Sequence, residues 1–114
     1  MTADEFLKDV EAREKAATPG PWEISEYPEE VGPCCVEGPG CTIFPYAENE
    51  RGELSVPNAT FAAAARSDIP KLVAMVRRLL AKAGRIRSAS EKGSVAYEQA
   101  DLAIVEADRI AEGK

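Results

Sequence analysis

The sequence predicts an α+β chain in which helical ends flank a small, irregular antiparallel sheet or meander. Three observations carry that reading. Residues 69–86 space their apolar side chains at helical intervals. Residues 22–56 break into short period-two runs separated by turns, and five of the eight prolines fall between Pro28 and Pro57. At 114 residues the chain is sized for one small domain, 1–114, burying roughly two-thirds of its unfolded surface.

The first helix is expected over 1–17, with Thr2 as N-cap and Asp4 and Glu5 placed where acids complement the helix dipole. Phe6, Leu7, Val10 and Ala17 form its apolar stripe. Pro19, Gly20 and Pro21 force a stop at Thr18, because they remove backbone donors and favour extended or flexible geometry. Trp22 opens a strand-like WEISEY and, as the sole tryptophan, is the expected structural anchor of the N-terminal helix. Further strands are expected at EVGP, CCVE, CTIF and within PYAENERGELSV. Gly38-Pro39-Gly40 makes the hairpin turn between CCVE and CTIF, and Asn49 to Gly52 forms another loop.

The helical half is expected over 58–112. A short helix from Asn58 to Arg66 carries Phe61 as a second anchor among alanines. Ser67 or Asp68 then caps a long amphipathic helix, with Pro70 tolerated in its first turn. After a break at 88–94, a C-terminal helix over 94–112 shows a small-residue face of Tyr97, Ala100, Ala103, Ile104, Ala107 and Ile110. Along the long helix Ile69, Leu72, Val76, Leu79, Ala83 and Ile86 alternate spacings of three and four, the pattern of a helix seam. That seam predicts self-association as a dimer or tetramer, or else the core of an intramolecular three-helix packing.

Charge is split along the chain. Residues 1–60 carry 13 acids against 4 bases, whereas residues 61–114 carry 7 acids against 10 bases, and the whole chain has a net charge of −6. Lys71, Arg78, Lys82 and Arg85 fall within about 60° of one another on the helical wheel, opposite Ile69, Val76 and Leu80. This row is the candidate anion-binding surface, for a nucleotide or nucleic acid. The acidic balance argues instead for a solvated face, or one paired with the chain's own acids, and against duplex DNA binding at physiological salt.

No catalytic constellation emerges. With no histidine in the chain, Ser-His-Asp and Cys-His arrangements are excluded. Glu26, Glu29, Glu30 and Glu37 crowd one stretch of the middle, but nothing organises them around a substrate. Neither GxxxxGK[ST] nor GxGxxG is present. Cys34, Cys35 and Cys41 leave a tetrahedral zinc site one ligand short and lack CxxC spacing, so they read as reduced structural thiols, with shared metal binding or a regulatory disulfide as the alternatives. Neither a metal, a cofactor nor an enzyme activity is expected. No apolar run approaches the ~20 residues that span a bilayer, and the N-terminal stretch is acidic, which together predict a cytoplasmic protein.

Three segments in order, AATPGPW, a variable β-rich middle and NATFAAAARSDIPKLVAMVRRL, resemble the Ead-like family of small early-region proteins of temperate phages and prophages. The matching positions are Ala17, Thr18, Pro19, Gly20 and Trp22, then Asn58, Ala59, Phe61, Ala63, Ala64 and Ala65, then Leu72, Val76 and Leu79. Ala62 stands where that family favours isoleucine, and the tail is a second Ala-rich helix in place of an extended heptad. The resemblance implies an accessory protein of the bacterial host cytoplasm that acts early by binding other molecules, without catalytic residues or a cofactor. Taken with the seam, it predicts a self-associating protein that binds and modulates a host or phage regulatory protein, with the acidic middle as its recognition surface.

Overall fold

The computed structural model describes residues 1–25 and 34–113. Its elements run in the order α1 (Ala3–Ala16), β1 (Glu23–Ser25), β2 (Cys35–Gly38), β3 (Cys41–Phe44), α2 (Val56–Ala89) and α3 (Val95–Ala111). The chain divides into two compact units: residues 1–14 with 72–114, and residues 15–71. The α+β class expected from the sequence is observed. The expected EVGP strand, the end of WEISEY and the acids Glu26, Glu29 and Glu30 lie outside the described residues.

Local chemistry explains where α1 begins and ends. Thr2 Oγ1 accepts from the Glu5 backbone N–H at 3.2 Å while Glu5 Oε2 accepts from the Thr2 backbone N–H at 3.3 Å, a reciprocal capping box. The helix stops at Ala16, just before the Thr18-Pro19-Gly20-Pro21 turn, whose Gly20–Pro21 peptide is cis.

In the unit of residues 15–71 the three strands form an antiparallel sheet of order β1-β2-β3. Pairing runs Glu23↔Glu37 to Ser25↔Cys35 on one side of β2 and Gly38↔Cys41 to Val36↔Phe44 on the other, with an irregularity between Val36 and Glu37. Gly40 supplies the positive φ of 75° that the hairpin turn requires. Gly38 sits in a tight place: a Cβ there would stand 3.0 Å from Ile43 Cδ1, 3.3 Å from Thr18 Cγ2 and 3.4 Å from the Trp22 ring, so a larger residue would have to displace those side chains by a few tenths of an ångström. The core of this unit gathers Val36, Ala47, Ala59 and Ala63, with Trp22, Ile43 and Phe44 packed against it. Backbone bonds from Ala47 N–H to Cys34 O and from Ser55 N–H to Ala47 O tie the following loop to the sheet. The strand expected within PYAENERGELSV does not form; only an isolated bridge joins Glu48 and Leu54 across the Asn49–Gly52 loop.

Two expectations need correction here. The short helix over 58–66 and the long helix capped at Ser67 or Asp68 are one continuous helix of 34 residues, with Pro70 in its interior. The proline removes a single intrahelical donor, and the flanking run of alanines and long-chain residues has enough helix propensity to carry the backbone through. Phe61 is not a core anchor either, since it is 77% exposed. Its neighbours Ala59 and Ala63 meet the sheet because only small side chains let the helix backbone come that close; Phe61 falls on the opposite side.

In the unit of residues 1–14 and 72–114 the packing is tied by polar contacts. Asp108 Oδ1 accepts from the Ala3 backbone N–H at 2.7 Å, and Arg87 pairs with Asp101 at 2.9 Å. Arg77 donates to both Glu11 and Asp4. Ser94 caps α3 by accepting from the Tyr97 N–H. Among the described residues of this unit, Ala3, Leu7 and Ala100 are the buried ones.

Candidate association face and basic row

The inward side of α2 in the 72–114 unit is formed by Val73, Arg77, Leu80, Gly84 and Arg87, all half-buried. The sequence-derived seam lies about 90° further round the helix at 100° per residue. Its members Leu72, Val76, Leu79 and Ile86 are exposed, Leu79 to 66%, and Ala83 is half-buried. Ile69, in the other unit, is also exposed. The seam is therefore not the core of this chain.

What lies beside it is α3. Leu79, Lys82, Ala83 and Ile86 of α2 line a groove with Ala96, Gln99, Ala100 and Ala103 of α3. Toward the other end Val76 meets Ala107 and Ile110 of α3 and Ala3, Phe6 and Leu7 of α1 around a nearly all-apolar hollow. Ile110 is 63% exposed and Phe6 is exposed as well. These side chains make one apolar face whose floor is alanine and whose walls are Leu79, Ile86, Val76, Phe6 and Ile110. Apolar residues left at this level of exposure on a single face make it a candidate interaction surface.

Lys71, Arg78, Lys82 and Arg85 are all exposed. None of the four makes an ion pair among the described residues. The expected attraction between the basic helix and the acidic N-terminal stretch is met by a different cation, Arg77, through Asp4 and Glu11. These contacts hold the Asp4 carboxyl below its ordinary value, by hydrogen bonds from Lys8 first and Arg77 second, and raise the Arg77 guanidinium further. Arg77 was legible in the sequence only as one more base; what singles it out is its place on the inward side.

Trp22 is half-buried against the sheet core. Its Nε1–H donates to Thr18 O at 3.1 Å, the same carbonyl that accepts from Arg66 Nε at 3.0 Å. The Arg66 guanidinium lies over the indole, 6.0 Å from its centre. Thr18 O, Trp22 and Arg66 thus lock the TPGPW turn to α2.

Cys34 and Cys35 are buried and Cys41 is exposed, all three as free thiols. Burial, with a smaller contribution from Glu37, pushes the Cys35 thiol up, which leaves it protonated and unreactive. Iodoacetamide at mildly alkaline pH is expected to alkylate Cys41 at least tenfold faster than Cys34 or Cys35, as read by mass spectrometry; equal rates in the folded protein would refute this burial. Among the described residues no group of three or more Cys, Asp or Glu side chains is arranged to hold a metal ion. Nor is any helix there long and apolar enough to cross a membrane. Comparison with family models, curated proteins and solved structures gives no match to this chain.

Proposed function

We propose that this chain is a non-enzymatic accessory protein that self-associates through its helical half and in that form binds and modulates a regulatory protein of a phage or its bacterial host. The observation that carries the association is the exposed apolar face of α2 and α3, led by Leu79, Ile86 and Ile110. The phage context rests on the AATPGPW and NATFAAAA resemblance alone. The acidic middle is the surface offered to the regulatory partner.

Sedimentation tests the association. Leu79→Asp loses a buried leucine at the interface and desolvates a carboxylate there, together about 3 kcal/mol or ~100-fold in affinity. Because Leu79 is exposed in the single chain, the variant should remain folded by circular dichroism while becoming a monomer. A wild-type chain that is itself monomeric at high micromolar concentration would sink the reading.

A second reading is favoured by four exposed cations of α2 that make no ion pair among the described residues. Lys71, Arg78, Lys82 and Arg85 form a surface suited to a nucleotide or nucleic acid, and retention on such a ligand that falls steeply with salt would support it.

A further inference from the structure

We infer that the second copy docks with its α2 on α3 of the first, about a two-fold axis parallel to the helices, so that the pair forms a four-helix bundle and not an α2-on-α2 coiled coil. This rests on the self-association proposed above and names how the same face is used.

The first argument is shape. Leu72, Leu79 and Ile86 recur every seven residues as exposed knobs along α2. On α3 the alanines also recur every seven, Ala96 with Ala103 and Ala100 with Ala107. The groove beside Leu79 and Ile86 has Ala96, Ala100 and Ala103 as its floor. Large residues on one helix and small ones on its neighbour are self-complementary only if each copy's α2 lies over the other's α3, so that knobs from both copies enter alanine holes. Setting α2 on α2 instead would stack large residues on large and leave the alanine floor uncovered. A face two helices wide and about 25 Å long, the length of the 17-residue α3, is on the scale of the ~800 Å² per partner of a standard interface.

The second argument is charge. On the helical wheel Arg78 and Arg85 lie on the edge of α2 away from its own α3, and Lys82 lies between them and the groove it helps to line. A two-fold axis perpendicular to the helices lays α2 on α2 antiparallel and brings these edges together, collecting six cations along one margin, which is repulsive. The parallel axis sets the same edge beside the outer edge of the partner's α3. That helix carries Glu98, which has no ion pair among the described residues, and Glu106, held by Arg109 of the same helix. Two acids and one base then meet three cations, a favourable match.

Disulfide trapping separates the arrangements. Two differently tagged chains, one Leu79→Cys and one Ala103→Cys, both with Cys41→Ser to remove the exposed native thiol, are co-purified and mildly oxidised. Both introduced positions are exposed in the single chain, so both variants fold, and circular dichroism checks it. A cross-link joining the two different tags is the expected product. A cross-link within the Leu79→Cys species alone would overturn the inference in favour of α2 on α2. A dimer by sedimentation with no mixed cross-link would also overturn it, leaving self-association intact, whereas a wild-type monomer would remove both.

Discussion

Val36→Asp is expected to unfold the sheet-bearing unit. Val36 has no exposed surface, lies on the central strand, and touches the Ala47, Ala59 and Ala63 cluster. Losing its burial costs about 1.5–3 kcal/mol, and an unpaired carboxyl in the same place costs several more even if it is protonated. Together these rival the ~5–15 kcal/mol that stabilise a whole domain. Hydrogen exchange at the Cys35–Gly38 and Cys41–Phe44 amides should lose its protection. A variant whose exchange and melting temperature match the wild type would show that Val36 is not at the centre of this core.

Trp22→Ala should cost about 3 kcal/mol, toward the lower end of the range for large aromatic residues because the ring is only half-buried. Removing the indole opens a void beside Gly38 and Ile43 and takes the ring from beneath the Arg66 guanidinium. It also leaves Thr18 O with the Arg66 bond alone of the two described above. Trp22→Phe keeps most of the packing and loses the N–H donor, so it should recover more than half of the loss. Urea unfolding followed by circular dichroism reads both. An unchanged midpoint for Trp22→Ala would mean that the ring is a ligand surface and not a support.

Three parts of the candidate site were legible in the residues. The 3-4 spacing from Ile69 to Ile86 defined an apolar sector of α2, the wheel placed Lys71, Arg78, Lys82 and Arg85 together, and the alanines of the last helix stood out as a small-residue face. Which way the seam points was not legible. The 72–89 part of α2 has two adjacent apolar sectors, and the inward one, Val73 and Leu80 with Arg77, Gly84 and Arg87, is interrupted by arginines that make it look polar. Those arginines are tolerated inside because Glu11, Asp4 and Asp101 come from other helices to pair with them. Partners distant in sequence leave no local mark.

The sequence by itself determined the elements whose causes are local. The Thr2–Glu5 capping box, the stop at TPGP, the Gly-Pro-Gly hairpin turn and the Ser94 cap are each a few residues acting on their own backbone. It also determined the charge split and the absence of histidine chemistry. Tertiary structure decided what periodicity cannot: that Ser67 and Asp68 do not interrupt α2, that Ala59 and Ala63 rather than Phe61 meet the sheet, and that the longest apolar seam stays exposed. The physical reason is the same in all three. Burial depends on what the rest of the chain brings alongside a face, and a helix that can approach through alanine excludes its own larger neighbours from the contact.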